Sequence, residues 1–426
     1  MRALSLVPAP AYRWNFVVLG ADISFFTLAL TFASTYGVLP LFVHHLTVSN
    51  VALGLIPAVV AFGSFLPPIL VAPALQRCRR RKPFILAWTV VERLPFLAIA
   101  VLTLALAPTH ATLLLWLFFA LFAVSTIAGG GSVAAWLDFV ARVMPDDWRG
   151  RFFGLWSALG TLLGLAGGVA TAALLRARDW PTGFALCFGC AFACMVVSFA
   201  FLASAREGLV PPAREEPPPA PRWQATVALL RRDRNFAAYL VANGLVTLAG
   251  LALAFYAVDA QRALGLTDAG AGLYAVVLIG GMLAGNVLWG YIGDHAGHKR
   301  LVEGGALCTG LGAGVALASH AGGESVRGLL AYGLAFALVG LGTSAVQLAG
   351  NTFVLDFGTD EERPAYIGLA ALAQLPFACG GPVLGGVIAD RLGYGAIFLL
   401  SLVLGVAGAG VVLRYVRDPR RGTAGL

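Results

Sequence analysis

The chain has 426 residues, 59% of them hydrophobic and 12% charged, and its mean hydropathy of +0.83 lies far above that of a water-soluble globular protein. That balance excludes a soluble fold and leaves an integral membrane protein. The net charge of +8 would suggest nucleic acid in a soluble chain, but here membrane topology and contact with anionic lipid account for the bases, so no nucleic-acid partner is expected.

A hydrocarbon core of about 30 Å takes roughly 20 helical residues. Windows of that length begin after "MRALSLVPAPAYRWNF". That start does not read as a secretory signal, because the apolar run follows Arg13 and no small-residue cleavage site follows a short core; it is expected to stay as the first span. In chain order the windows are 15–43, 50–73, 83–107, 111–138, 152–175 and 181–204, then 236–260, 268–292, 301–319, 328–354, 366–389 and 394–416. They are too long and continuous for barrel strands of about 10 residues, and strand alternation is absent. The expected fold is an all-α integral membrane protein with twelve transmembrane helices in two pseudo-symmetric six-helix bundles.

The bundles are expected at 1–204 and 236–426, joined by a cytoplasmic linker at 205–235. The linker's prolines, as in "VPPAREEPPPAP", prevent one continuous helix. Its latter part, with Trp223, Val227 and Leu230 on one side, reads either as an amphipathic helix on the membrane surface or as plain linker. In the sixth window Cys187, Cys190 and Cys194 share a helix face. With no His or acid beside them they read as packing residues, and neither metal nor cofactor is expected.

Short loops rich in Lys and Arg stay in the cytoplasm. One side of the twelve spans holds Arg2, Arg13, the "RCRRRK" loop at 77–82, Arg142, Arg149, Arg151, Lys299, Arg300, Arg363 and the tail arginines; the other holds Arg176, Arg178, Arg262, Arg327 and Arg391. Both termini are therefore expected in the cytoplasm, with the chain multi-pass in an inner membrane.

The two halves resemble each other. "DDWRGRFFGL" from Asp146 aligns without a gap to "DEERPAYIGL" from Asp360; the same register pairs Gly167 with Gly381, Trp180 with Tyr394 and Phe184 with Phe398. Upstream, "WNF" at Asn15 answers "RNF" at Asn235. Two halves repeated in one orientation imply a pseudo-two-fold axis along the membrane normal and alternating access to a cavity where they meet.

After the eighth window comes "GYIGDHAGHKR". Gly290, Asp294, Gly297, Lys299 and Arg300 resemble the signature loop of the major facilitator superfamily, with His295 where that family usually has a base. The glycines allow a tight turn, and the bases hold the loop at the cytoplasmic face. The resemblance implies that Asp294 looks toward the start of the fifth helix, near Arg149 and Arg151, where it would close a cytoplasmic gate. The corresponding first-half loop has Gln76 and Arg79 in place of the carboxylate and the second glycine. The Gly-Pro-x-x-Gly-Gly pattern associated with antiporters stands in the eleventh window, at Gly381, Pro382, Gly385 and Gly386, rather than in the fifth, and the family's fourth-span arginine is missing. The resemblance covers the whole chain and identifies a superfamily rather than a substrate.

Ionisable groups within spans cost roughly 2.5–3.5 kcal/mol each on insertion scales, so they face cavities or partners. Asp22, Glu92 and Arg93 are the coupling candidates. Asp22 shares a helix face with Tyr36, and Arg93 is its expected partner; the pair either sets proton affinity or locks helices together. Adjacent helical residues project about 100° apart, so Glu92 is expected to find a separate partner, and Pro95 to free the Val91 carbonyl. Asp138 and Asp356, repeat-related "DF" pairs at helix ends, are expected to bind loop arginines. In the second half Asn243, Asn286, Gln347, Asn351 and Gln374 are neutral polar groups deep in spans, and Tyr36, Asn243, Gln347, Asn351 and Gln374 are the substrate-cavity candidates.

No Walker loop or paired-histidine zinc pattern is present, so no enzymatic activity, catalytic residue or metal residue is expected. The expected function is secondary active transport of a small organic solute by a monomer in membrane lipid, as proton-coupled efflux. A nutrient symporter or uniporter is the alternative, and a transport-inactive receptor or scaffold the alternative of another class.

Overall fold

The computed structural model describes residues 9–77, 80–207, 229–320, 325–357 and 363–418. Their ordered elements are helical: α1 (Ala9–Phe32), α2 (Val38–Leu46), α3 (Asn50–Arg77), α4 (Lys82–Leu106), α5 (Ala111–Val143), α6 (Asp146–Ala177), α7 (Thr182–Ser204), α8 (Arg234–Ala249), α9 (Tyr256–Leu264), α10 (Asp268–Ala296), α11 (Lys299–Ser319), α12 (Val326–Thr352), α13 (Arg363–Leu392) and α14 (Tyr394–Tyr415). Among the described residues, 12 helical segments are long and apolar enough to cross a membrane. Exposed side chains such as Trp116, Val287 and Leu330 form apolar surface that a bilayer would cover.

The first span is shorter than its hydropathy suggests. The expected run 15–43 breaks after Phe32 and resumes at Val38. Pro40 explains the restart, because a proline in the first helical turn gives up an N–H that has no intrahelical partner there. Tyr36 lies in this break, off the helix that carries Asp22. The seventh span is also interrupted, by a 3₁₀ segment at Gly250–Ala254. Local chemistry sets other boundaries: Asp233, Thr267 and Ser325 cap α8, α10 and α12 by accepting from Phe236, Gly270 and Gly328 N–H. Gly265, at φ +62°, ends α9 in a left-handed conformation.

The chain divides into two compact units: unit 1 is Met1–Ser34, His45–Thr47 and Val59–Glu216, and unit 2 is Thr35–His44, Val48–Ala58 and Pro217–Leu426. In unit 1, Asn15 donates to the Arg206 carbonyl at 2.8 Å and accepts from Arg206 N–H at 2.8 Å, joining the first helix to the residue past the last. In unit 2, Asn235 donates to the Arg417 carbonyl at 2.9 Å and accepts from Arg417 N–H at 2.7 Å. The "WNF" and "RNF" stretches thus make the same clasp twice. The "DF" pairs also repeat a geometry. Asp138 accepts from Arg81 at 2.6 Å and Arg142 at 2.9 Å while Phe139 is buried; Asp356 lies 2.8 Å from His298 Nδ1 while Phe357 is buried. In the second half a loop histidine, His298, is thus among the partners.

The Gly-Pro-x-x-Gly-Gly stretch of α13 has a packing role in unit 2. A Cβ on Gly386 would lie 2.5 Å from the Asn50 carbonyl oxygen, and one on Gly54 would lie 2.0 Å from that of Pro382. Glycine lets the first turns of α3 rest backbone to backbone on α13. Asp390 then accepts from Asn50 N–H at 2.9 Å and Asn50 Nδ2 at 2.8 Å, and Tyr394 donates to Asn50 Oδ1. The linker stretch with Trp223 and Val227 lies outside the described residues.

Candidate functional site

The helices of unit 1 bring three ionisable groups, Asp22, Glu92 and Arg93, into one cavity. α4 packs on α5 and α7, and α1 on α6 and α7. A cavity of about 250 Å³ among them is lined by Asp22, Glu92, Arg93, Ser132, Trp136 and Phe153, with further apolar walls. Asp22, Glu92 and Arg93 are 4%, 7% and 5% exposed, so their charges must be met within the protein.

Asp22 is well met. Its Oδ1 accepts from Ser198 Oγ at 2.6 Å and its Oδ2 from Trp136 Nε1 at 3.0 Å. Arg93 Nη2 lies 3.5 Å from Asp22 Oδ1 and donates to Ser198 Oγ at 2.8 Å, so the hydroxyl stands as a relay between the two charges. The guanidinium sits against the rings of Phe26 and Phe199, at 5.7 and 5.5 Å, which suits a cation short of water. Its Nε and Nη1 are buried without hydrogen-bond partners.

Glu92 is poorly met. It turns the other way, toward α5, as one residue of helical offset requires. Its Oε2 is 3.3 Å from Ser132 Oγ, but that hydroxyl is 2.9 Å from the Gly129 carbonyl, and it has one proton for both. Ser125 donates to the Glu92 backbone carbonyl at 2.7 Å, not to the carboxylate. A Cβ on Gly129 would lie 2.8 Å from Glu92 Oε1, so the glycine makes room for the carboxylate. α4 runs through Pro95 without ending.

Sequence reasoning picks out the three charged residues and overlooks their partners. Trp136 and Ser198 carry no distinguishing pattern in their apolar runs. Ser125, Gly129 and Ser132 lie at helical spacing on α5 and were legible as a stripe of small residues.

A second cavity, of about 170 Å³, lies within unit 2 at the 3₁₀ interruption. Gln347 and Gln374 line it together with Thr247, Tyr256, Thr309 and Thr343. Gln374 Nε2 donates to Thr247 Oγ1 at 3.1 Å, and Thr247 donates to the Asn243 carbonyl at 2.8 Å. Asn243 is buried one turn away rather than in the lining, Tyr36 is not in the lining either, and the side chain of Asn351 lies outside the described residues. Unit 2 also holds a buried acidic node that the sequence reading passes over. Asp259 Oδ2 lies 2.8 Å from His320 Nε2 and accepts from the Tyr332 hydroxyl.

The loop at 290–300 spans the end of α10 and the start of α11. Gly297 has φ +91°, which only glycine adopts freely, and a Cβ there would also meet Asp418. Gly290 has open space around its Cβ position. Lys299 and Arg300 turn back to Glu303, at 3.5 and 2.8 Å, a buried carboxylate absent from the sequence candidates. Within unit 2, Asp294 is exposed and pairs with no described residue. In unit 1, Arg149 donates to the Ala141 carbonyl, and the Arg151 guanidinium lies 5.6 Å from the Trp148 ring.

Residues 21–260 and 236–425 match the sequence profile of the Major Facilitator Superfamily. The chain belongs to that superfamily. It shares 29% identity over 180 residues with the sphingosine-1-phosphate transporter SPNS2 of Danio rerio, covering 42% of this chain and 34% of the relative. It shares 29% identity over 146 residues with the methyl viologen resistance protein SmvA of Salmonella typhimurium, covering 34% of this chain and 27% of the relative. The chain thus matches about a third of the length of these relatives. Among solved structures, the nucleoside transporter NupG superposes with a TM-score of 0.69 at 11% identity, covering 95% of this chain and 98% of that one. At that identity the likeness shows the fold: twelve membrane helices in the two-domain arrangement of this superfamily.

Proposed function

We propose that this superfamily member is a proton-coupled secondary transporter exporting a small organic solute across the inner membrane by alternating access, with both termini cytoplasmic. One observation carries the reading. Two buried carboxylates and one buried guanidinium line a single cavity, and only one of the carboxylates is well supplied with donors. Asp22 has Ser198, Trp136 and Arg93; Glu92 has half of one hydroxyl proton. We therefore assign proton coupling to Glu92, and give Asp22 with Arg93 the task of holding α1, α4 and α7 together. The name of the methyl viologen resistance relative supports the outward direction. Asp294, presented at the end of α10, is the proposed partner of the α6 N-terminus in closing the cytoplasmic side.

The test is flux in proteoliposomes across a broad solute panel with an imposed pH gradient. Gradient-driven movement that a protonophore stops, and that Glu92→Gln uncouples, is expected. Flux indifferent to the gradient would instead make the protein a uniporter. Movement in neither direction would make it a receptor or scaffold.

A further inference from the structure

The unit 1 cavity contains two potential negative charges and one positive. Arg93 is committed to Asp22, directly at 3.5 Å and through Ser198. That leaves Glu92, 7% exposed, with a part share in the Ser132 proton. With both carboxylates ionised the site is one positive charge short of neutral, and an uncompensated buried charge is costly.

The walls decide what kind of positive charge fits. Phe26, Trp136 and Phe153 present rings, and Val133, Leu137 and Leu202 present aliphatic surface. Thr89 lines the cavity too, but its hydroxyl donates back to the Ile85 carbonyl at 2.9 Å. A hydrated or chelated metal ion needs about six oxygen ligands, and the cavity offers far fewer. An anion would enter a site already net negative. A cation whose charge is spread over an apolar frame meets both the carboxylate and the ring faces.

We propose that this cavity binds a flat lipophilic organic cation with Glu92 as its counter-charge, and that the cation and a proton occupy this carboxylate in turn. The proposal rests on the transport reading and adds its substrate class. The balance is one for one: a permanently charged cation entering the protonated site releases one proton to water, and the reverse step takes one up. The ionisable groups around Glu92 are Arg93 beside it on α4 and Asp22 on α1. Among the described lining residues α5 contributes Ser132 and Trp136, α6 contributes Phe153 and α7 contributes Leu202, none of them charged.

The experiment is equilibrium binding of radiolabelled 1-methyl-4-phenylpyridinium to the purified full-length protein in detergent, across pH, with proton release followed in weak buffer. Saturable binding is expected, with affinity rising tenfold per pH unit over the range where one proton is released. Glu92→Gln is expected to weaken binding at least 20-fold and to abolish the pH slope. Gly129→Ala keeps the carboxylate but displaces its flexible end, and is expected to weaken binding several-fold in a folded protein. Glu303→Gln, in unit 2, is expected to leave binding unchanged. Absence of saturable binding to the wild type would overturn the proposal, as would unaltered binding in both Glu92→Gln and Gly129→Ala or binding without proton release. Preferential, Arg93-dependent binding of the amphipathic anion 8-anilinonaphthalene-1-sulfonate would also overturn it. Gradient-driven flux of other solutes without cation binding would sink this inference and spare the transport reading. Cation binding at Glu92 with no flux of any solute would do the reverse.

Discussion

Neutralising Asp22 and Arg93 singly and together separates a helix-locking pair from two independent groups. At 3.5 Å and an effective dielectric constant of about 20, Coulomb's law gives about 5 kcal/mol of attraction. Removing one member of a buried pair typically costs about 3–5 kcal/mol, since the survivor is left uncompensated. Asp22→Asn and Arg93→Gln are each expected to lose about 3 kcal/mol. The double variant leaves neither member of the pair without its counter-charge and leaves Glu92 unaltered, and the introduced asparagine side chain keeps an oxygen that can accept from Ser198 and Trp136. It is expected to lie within about 1 kcal/mol of wild type, which makes the coupling energy about 5 kcal/mol, in line with the Coulomb figure. Equilibrium unfolding in mixed dodecyl maltoside and SDS micelles, followed by tryptophan fluorescence, measures all four proteins. A double variant that loses the sum of the two single losses would refute the pairing.

Two further outcomes follow from backbone contacts. Gly386→Ala puts a Cβ 2.5 Å from the Asn50 carbonyl and is expected to lose about 1–3 kcal/mol by overpacking, whereas Gly290→Ala, in open space, is expected to be neutral; the same unfolding assay distinguishes them. Asn15→Ala removes two part-buried hydrogen bonds and is expected to cost about 2 kcal/mol, against about 1 kcal/mol for Asn235→Ala, whose bonds are exposed. Equal losses would show that burial does not set the strength of the clasp.

Hydropathy alone carried most of the fold, because a bilayer imposes one length on every crossing element. It misplaced the ends of the first span because hydropathy does not register a proline in a first turn, and it passed over the 3₁₀ interruption at Gly250–Ala254 because those residues are as apolar as their neighbours. The charged residues of the site were legible because charge is rare in spans. Their neutral partners were not. Ser198 and Trp136 become functional through where α7 and α5 bring them, and nothing in "MVVSFAF" or "AAWLDF" marks them. The Gly-Pro-x-x-Gly-Gly stretch carried a resemblance to antiporters, while Gly386 is explained by the approach of α3 to α13, and Gly381 and Gly385 face Leu248, Leu251 and Phe255.

The two asparagine clasps bear on the chain's covalent continuity. Each fastens the beginning of a six-helix half to its own end, at Asn15 with Arg206 and at Asn235 with Arg417. Cutting the peptide between Glu207 and Leu229 would remove none of the described hydrogen bonds from either half. Each six-helix half is thus fastened through its own asparagine, without using the residues between Glu207 and Leu229.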